Sequence, residues 1–176
     1  MARVEPELLD LLPRVPLFGG LEGEPLERVI LLLGEEARAE AEVVGCQGQN
    51  CRALYVVREG EVLESKELAP GKKAKLVRLR PGEVFGERSL VEMQALSATY
   101  TCAQPTRLLV LHQRELSRLY REDLPTYTLL LGNLARELSR RLRRAEERLI
   151  QLVDAAGEGE RSRTQLAVPA VKLPTK

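Results

Sequence analysis

The residues best suited to chemistry lie in the stretch from Leu79 to Ala103, which reads LRPGEVFGERSLVEMQALSATYTCA. Its first half is a turn that brings Gly86 and Glu87 to the start of a predicted short helix. A helix start offers unpaired backbone N–H groups and the positive end of a dipole, so it can receive a phosphate or a carboxylate. The second half is predicted to return as a strand that carries Ser97, Ala98 and Thr99. The stretch therefore predicts an anion-binding site.

Short β-rich runs surround this stretch, and each is bounded by a turn signal at intervals of about ten residues. The predicted strands are 41–44, 53–57, 61–63, 75–79, 98–103 and 107–111. Short strands with regular turns indicate a β-sandwich, a jelly roll or a small barrel. Apolar residues at helical spacing predict helices before the strands, over 6–15 and from 23 to 34, and after them, over 115–120 and 126–153. We therefore expect N-terminal helices within 1–36, a β core over 37–112, C-terminal helices over 113–153, and a disordered or partner-binding tail over 154–176.

The long C-terminal helix carries an apolar seam whose members step by three or four residues. The seam consists of Leu131, Leu134, Leu138, Leu142, Ala145, Leu149 and Leu152. This spacing is close to an a/d heptad, which needs a partner helix, so it predicts a coiled-coil homodimer. Six arginines and three glutamates lie between Arg136 and Arg148. They are interpreted as a solvated coiled-coil flank, with a stripe that contacts DNA or another anion as the alternative.

The composition is that of a globular protein with little affinity for nucleic acid. The 176 residues include 27 basic and 26 acidic side chains, for a net charge of +1, and only 3% are aromatic, with no Trp. A DNA-binding domain normally has a concentrated basic surplus, and a platform for single strands needs aromatic residues. The core is expected to consist of Leu, Val and Ala. Since no long apolar segment or signal peptide is visible, a cytoplasmic location is expected.

The sequence lacks the residue sets that metal sites and nucleophilic enzymes need. His112 is the only histidine, and it is expected to be an ordinary polar residue at a strand end. Cys46, Cys51 and Cys102 are expected to be free buried thiols, since zinc or iron needs three or four protein ligands. Ser89 and Ser97 have no histidine partner placed by the sequence. We therefore predict no metal site and no enzymatic activity.

Three motifs together resemble the cyclic nucleotide-binding domain of catabolite activator-like regulators, cyclic-nucleotide-dependent kinases and gated channels. They are QGQNCRALYVVREGEV from Gln47, LRPGEVFGE from Leu79 and SAT from Ser97, and the similarity covers roughly Leu12 to Leu152. The resemblance implies a mainly β fold. Its core would be an eight-stranded jelly roll (a double-stranded β-helix), with two short N-terminal helices and a long C-terminal helix. It also implies a phosphate cassette made by the short helix after FGE and the strand that follows.

The resemblance assigns roles within the cassette. Gly86 would allow close approach of the ligand, Glu87 would accept a ribose hydroxyl, and the N–H groups around Arg88 and Ser89 would face the phosphate. The cassette would be completed from the strand by Ser97, Ala98 and Thr99. The family's phosphate-binding arginine is expected immediately before the Ser-Ala pair, and Leu96 stands there.

The loss of this arginine predicts a degenerate site. Removing one partner of a buried ion pair costs about 2 to 5 kcal/mol, so cyclic AMP and cyclic GMP are not expected to bind in the usual way. Two roles are open for Arg88: it could turn outward to meet a phosphate, or it could pair with Glu87 and fill the site. A cyclic nucleotide or another small anion is the possible ligand, and no cofactor is certain.

The predicted function is a non-catalytic regulatory module for signal transduction that acts through a homodimer and a protein partner. The first alternative is a genuine cyclic nucleotide receptor that uses Arg88 for the phosphate. The second is the sensory part of a catabolite activator-like transcription regulator. Because the residues after Val153 are too few for a helix-turn-helix, DNA is not expected as a partner unless the chain is a fragment.

Overall fold

A computed structural model describes residues 5–157 of the chain. The chain divides into two compact units, Met1–Glu137 and Leu138–Lys176. The first unit holds all the strands, and the described part of the second, residues 138–157, is helical. Most of the tail predicted from residue 154 lies outside the described residues, but its first residues, 154–157, still belong to the long helix.

Eight antiparallel strands form two four-stranded sheets. The strands are β1 (Gly34–Arg38), β2 (Val43–Gly45), β3 (Ala53–Glu59), β4 (Val62–Ala69), β5 (Lys72–Leu79), β6 (Val84–Phe85), β7 (Thr99–Cys102) and β8 (Thr106–His112). One sheet has the order β1-β8-β3-β6 and the other has the order β2-β7-β4-β5. Apart from the β4–β5 hairpin, sequential strands alternate between the two sheets, and the predicted jelly roll is confirmed. β1 begins at Gly34, before the predicted start of the core at residue 37, and no strand was predicted there.

Five α-helices flank the sheets. They are α1 (Pro6–Leu11), α2 (Gly23–Leu32), α3 (Glu87–Glu92), α4 (Gln113–Glu122) and α5 (Leu124–Gly157). Two short 3-10 helices, Leu12–Arg14 and Pro16–Phe18, follow α1 because Pro13 and Pro16 interrupt its hydrogen bonding. The predicted short N-terminal helices and the long C-terminal helix are confirmed.

The core between the sheets joins side chains of both. Val57 and Leu108 come from one sheet, and Val62, Leu79 and Cys102 come from the other. β3 is buried on both faces: Val57 lies in the core between the sheets, and Leu54 lies beside Leu17 and Leu90 on its other face. The expectation of a core made only of Leu, Val and Ala is wrong, because Phe18, Phe85 and Tyr100 are also buried.

The N-terminal helix is held to the sheet by a buried cation. Arg58 on β3 is buried, and its guanidinium donates to Glu5 Oε2 at 2.9 Å, to Glu7 Oε2 at 2.6 Å and to Glu35 Oε2 at 3.0 Å. A buried arginine needs such carboxylates, since an uncompensated charge inside a protein is costly. Arg58 therefore has its counter-ions within its own chain.

The first turns of α5 are fixed to the rest of the first unit. Asp123 caps the helix by accepting hydrogen bonds from the backbone N–H and the hydroxyl of Thr126, and these bonds lower the pKa of its carboxyl. Farther along, buried Asn133 donates from Nδ2 to the carbonyls of Leu17 and Gly19, at 3.0 and 2.8 Å. These contacts position the start of α5 against the N-terminal segment.

Three smaller predictions can be checked against the described residues. Only Cys102 is a buried thiol, because Cys46 is exposed and Cys51 is half-buried, so the expectation of three buried thiols is wrong. His112 is the last residue of β8, as predicted. Among the described helices, none combines the length and the apolar character needed to cross a membrane.

Candidate functional site

Gly86 is the residue on which the helix half of the cassette depends. Its φ is +79°, a left-handed conformation that glycine adopts at little cost. A Cβ at this position would lie 2.8 Å from the backbone oxygen of Ala53 on β3 and 3.3 Å from the Tyr55 ring. The close approach of this turn to β3 therefore requires glycine.

The short helix α3 starts directly after Gly86 and buries two of its polar residues, Glu87 and Ser89. Glu87 is only 2% exposed and Ser89 is buried. The Ser89 hydroxyl donates to the carbonyl of Gly86 at 2.8 Å, which fixes the first turn of α3. The structure therefore brings together Gly86, Glu87 and Ser89 at the start of α3, and their role in binding a ligand stays a prediction.

Leu96 lies in the apolar core at the position where the resemblance places a cation. Its side chain is 5% exposed and belongs to the same cluster as Phe85, Ala98 and Tyr100. Its backbone is fixed by two hydrogen bonds, from Leu96 N to the Gln49 carbonyl at 2.9 Å and from Gly48 N to the Leu96 carbonyl at 2.8 Å. The side chain also packs against Gly45, where a Cβ would lie 2.6 Å from Leu96 Cδ1. This position is occupied by packed hydrocarbon.

Three aromatic rings form a column next to Leu96. The Tyr55 and Phe85 rings stack with centroids 5.0 Å apart, and the Phe85 and Tyr100 rings stack at 4.7 Å. Burial raises the pKa of the Tyr55 hydroxyl above its ordinary value, and the neighbouring Cys51 adds to the shift. The column therefore fills space between the sheets with aromatic rings.

Arg88 and the strand residues complete the predicted set. The Arg88 side chain is exposed, and no hydrogen bond or ion pair joins it to another residue of the described chain, so the predicted pairing with Glu87 is not present. Ser97 and Thr99 are half-buried and Ala98 is buried. Thr99 Oγ1 accepts from the backbone N–H of Gln47 at 3.0 Å, which ties the strand half to the loop before β3.

The predicted seam of α5 divides into residues with different surroundings. Leu134 is 5% exposed and lies in the interior of the first unit, whereas Leu131 is exposed. In the second unit Leu138 is half-buried, and Leu142, Ala145, Leu149 and Leu152 are exposed. The seam stays a prediction. No group of three or more metal-ligating side chains occurs among residues 5–157.

Two features of the site were missed in the sequence. Alternation placed Tyr55 and Tyr100 on strands, and FGE placed Phe85. The stacking of Tyr55 on Phe85 depends on the pairing of β3 with β6 in one sheet, and that of Phe85 on Tyr100 depends on how the two sheets face each other. Arg58 ends the apolar run LYVV on β3, and a charge in that position signals a buried ion pair. Its acidic partners lie far away in sequence, so the spacing alone does not identify them.

Comparison with known proteins identifies the family. The model of the cyclic nucleotide-binding domain matches residues 36–123. The chain is 33% identical over 158 residues to the cyclic AMP receptor protein of Thermus thermophilus, and the match covers 90% of this chain and 69% of that protein.

Solved structures have the same architecture. The catabolite activator protein of Thermus thermophilus superposes with a TM-score of 0.70 and 34% identity, over 78% of this chain and 63% of that one. A cyclic nucleotide-binding domain from Methylobacillus flagellatus superposes with a TM-score of 0.75 and 20% identity, over 91% and 85% of the two chains. The chain thus spans less than two thirds of the catabolite activator structure. It belongs to the cyclic nucleotide-binding domain family.

Proposed function

We propose that this protein is a non-catalytic regulatory module of the cyclic nucleotide-binding type that does not bind cyclic AMP or cyclic GMP in the usual way. The observation that carries the proposal is the position of Leu96. A buried leucine, packed against Phe85, Ala98 and Tyr100, stands where a phosphate would need a cation. Placing a negatively charged phosphodiester against this hydrocarbon would remove its charge from water without a compensating cation.

The surroundings of the cassette support the same proposal. The Tyr55, Phe85 and Tyr100 rings occupy space between the sheets. Arg88, the nearest cation in sequence, is exposed, and buried Arg58 is committed to Glu5, Glu7 and Glu35. Neither arginine supplies the positive charge that a phosphate beside Leu96 would need.

The module is proposed to act through α5. In the second unit the large apolar residues Leu142, Leu149 and Leu152 are more than half exposed, and their heptad spacing suits a second helix. A homodimer built on this helix would present a fixed shape to a protein partner, independently of a cyclic nucleotide. The cytoplasm is the location proposed for it.

Isothermal titration calorimetry with cyclic AMP and cyclic GMP tests the ligand part. The unaltered protein is expected to give no saturable heat at micromolar nucleotide. Leu96→Arg is expected to gain affinity by roughly tenfold or more, because a charge-assisted hydrogen bond to phosphate contributes about 1.5 to 3 kcal/mol.

Two variants test whether a positive charge is what determines nucleotide affinity. Leu96→Gln is the matched control, polar and similar in length but uncharged, and it should gain nothing. Arg88→Leu should leave the titration of the unaltered protein unchanged. Micromolar binding by the unaltered protein that Arg88→Leu abolishes would instead establish the Arg88 receptor and reject this proposal.

A further inference from the structure

The hairpin of β4 and β5 carries a positive charge that the rest of the chain does not share. Residues 66–80 contain six basic side chains and one acidic side chain, a net charge of +5, whereas the whole chain has a net charge of +1. All the other residues together are therefore negative. The charge of this protein is concentrated on one hairpin rather than mixed over its surface.

Within the described chain, lysine occurs only on this hairpin. Residues 5–157 contain four lysines, and the other basic side chains apart from His112 are arginines. The four are Lys66, Lys72, Lys73 and Lys75. They are exposed and form no ion pair within residues 5–157, where arginines make the ion pairs. An arginine suits a fixed ion pair because its planar fork binds a carboxylate at two points, whereas a lysine is a hydrated point charge on a flexible stem. The lysine charge is thus available to a partner.

The carboxylates nearest to the lysines are already engaged. Glu67 lies opposite Lys73 across the hairpin, but its Oε1 accepts a hydrogen bond from the Gly71 backbone N–H at 3.1 Å. Glu61 forms an ion pair with Arg78. The charge of the lysines is therefore not compensated within the described residues.

Protection of a sheet edge does not explain the whole charge. β5 lies at the edge of its sheet, and lysine on an edge strand discourages another strand from adding there. β1 is also an edge strand, but its charges have both signs and are paired inside the chain, Glu35 with Arg58 and Glu36 with Arg38. This edge is protected without any surplus of one sign. A surface of one sign attracts partners of the opposite sign.

The geometry of β5 fits an extended acidic segment. Lys73 and Lys75 are two residues apart with no register shift between them, so their side chains leave the same side of the strand. Side chains on one side of a strand repeat about every 6.6 to 6.8 Å, and an extended segment with an acidic residue at every second position has the same repeat. Leu76 is 45% exposed and offers an apolar contact beside them. The turn at Pro70 and Gly71 carries no large side chain that could enter a bilayer.

We propose that β5 is the docking surface for an extended, acidic segment of a protein partner. Lys73 and Lys75 bind carboxylates two residues apart in that segment, Lys72 adds to the attracting field, and Leu76 contacts an apolar residue. Because β4 and β5 shift register twice, the segment is held by side chains rather than by continuing the sheet. The inference rests on the proposed action through a protein partner and specifies the chemistry of that partner.

Fluorescence anisotropy with a labelled synthetic peptide tests the proposal on the full chain. The peptide alternates glutamate with threonine and has one leucine at its centre. It should bind, and its affinity should fall as the salt concentration rises from about 0.05 to about 0.5 M, because salt screens exposed charges. A peptide with glutamine in place of each glutamate is the uncharged control and should not bind. Equal binding of the two peptides, or no binding of either, rejects the docking surface.

Two combined variants locate the surface. The test variant replaces the three lysines of β5: Lys72→Gln, Lys73→Gln and Lys75→Gln. The matched control removes the same number of charges from exposed arginines of α4: Arg114→Gln, Arg118→Gln and Arg121→Gln. The test variant should weaken peptide binding roughly tenfold, because up to three exposed ion pairs are lost, and the control should weaken it by less than roughly twofold. Circular dichroism should show that both variants are folded. Equal losses in the two variants would mean that the peptide responds only to net charge, and the docking surface is rejected.

Other polyanions provide the competing outcomes. Vesicles of phosphatidylserine and phosphatidylcholine and a DNA duplex are titrated in the same buffer. If either binds through the three lysines more tightly than the acidic peptide, the partner is a membrane or a nucleic acid and the proposal is rejected. Leu76→Ser should weaken the peptide severalfold and leave DNA binding unchanged, and unchanged peptide binding would reject the apolar contact. Calorimetry with cyclic nucleotides decides the ligand part of the proposed function independently, since neither result determines the other.

Discussion

The two halves of the cassette are held by different forces. In the helix half, backbone geometry dominates: Gly86 adopts a left-handed conformation against the carbonyl of Ala53, and Ser89 is bonded to the Gly86 carbonyl. In the strand half, apolar packing dominates, with Leu96 inside the core. The helix half carries Gly86 and Glu87, to which the resemblance assigns ligand contacts, and the strand half carries Leu96 where the resemblance places a cation.

This difference shows that the backbone geometry of the cassette can be required for packing, independently of the side chains that would bind a ligand. The turn at Gly86 is needed to pack α3 against β3, so the fold requires it whether or not a ligand binds. A cation at residue 96 would lie in the cluster that holds Phe85, Ala98 and Tyr100. Replacing it by leucine turns a desolvated charge into buried hydrocarbon, which stabilises the core.

The largest expected effect comes from the strand half. Leu96→Ala should lower the free energy of unfolding by about 3 kcal/mol, because it removes buried methyl groups and leaves a cavity. Urea unfolding followed by circular dichroism measures the change. Leu68→Ala on β4 is the matched control, since Leu68 is 60% exposed, and it should change stability by no more than about 0.5 kcal/mol. Equal effects at the two leucines would mean that residue 96 is not packed in the core.

A somewhat smaller effect is expected in the helix half. Gly86→Ala should cost about 2 to 3 kcal/mol, since the added Cβ meets a backbone oxygen and the left-handed conformation is unfavourable for alanine. Gly71→Ala provides the comparison: Gly71 has a φ of +75° but nothing within 4 Å of a Cβ, so only about 1 kcal/mol should be lost. Chemical denaturation of both variants isolates the contact with Ala53. If both variants lost the same free energy of unfolding, the close contact with Ala53 would not be the reason that residue 86 is glycine.

The smallest effect concerns the hydrogen bond that fixes α3. Ser89→Ala should cost about 1 kcal/mol, because it leaves the Gly86 carbonyl without this buried donor. Ser117→Ala on α4 removes a similar bond, from its hydroxyl to the Gln113 carbonyl at 2.9 Å, but Ser117 is exposed and water can replace it. Thermal unfolding should therefore show a loss only for Ser89→Ala. If Ser117→Ala lost more stability than Ser89→Ala, burial would not be the reason that the Ser89 hydrogen bond stabilises the protein.

Much of the fold could be predicted from the sequence because its signals are local. Turn residues at regular intervals marked six of the eight described strands, although β4 extends well past the predicted 61–63, and apolar spacing indicated the long helix. β1 was missed because its residues, GEEAR, are largely charged and are paired with β8 at one edge of a sheet. Pairing across more than 70 residues leaves no local pattern.

The candidate site divides in the same way. The sequence by itself indicated the family, the glycine turn at Gly86 and a leucine at residue 96 where the resemblance places a cation, since residue type and order carry this information. Only the tertiary structure decided that Leu96 is packed in the core, that Arg88 is exposed, and that Tyr55, Phe85 and Tyr100 stack. It also decided that Leu134 is buried within its own unit while Leu131 is exposed. The physical reason is that burial depends on which distant segments meet, and helical or strand periodicity specifies only which residues share a face.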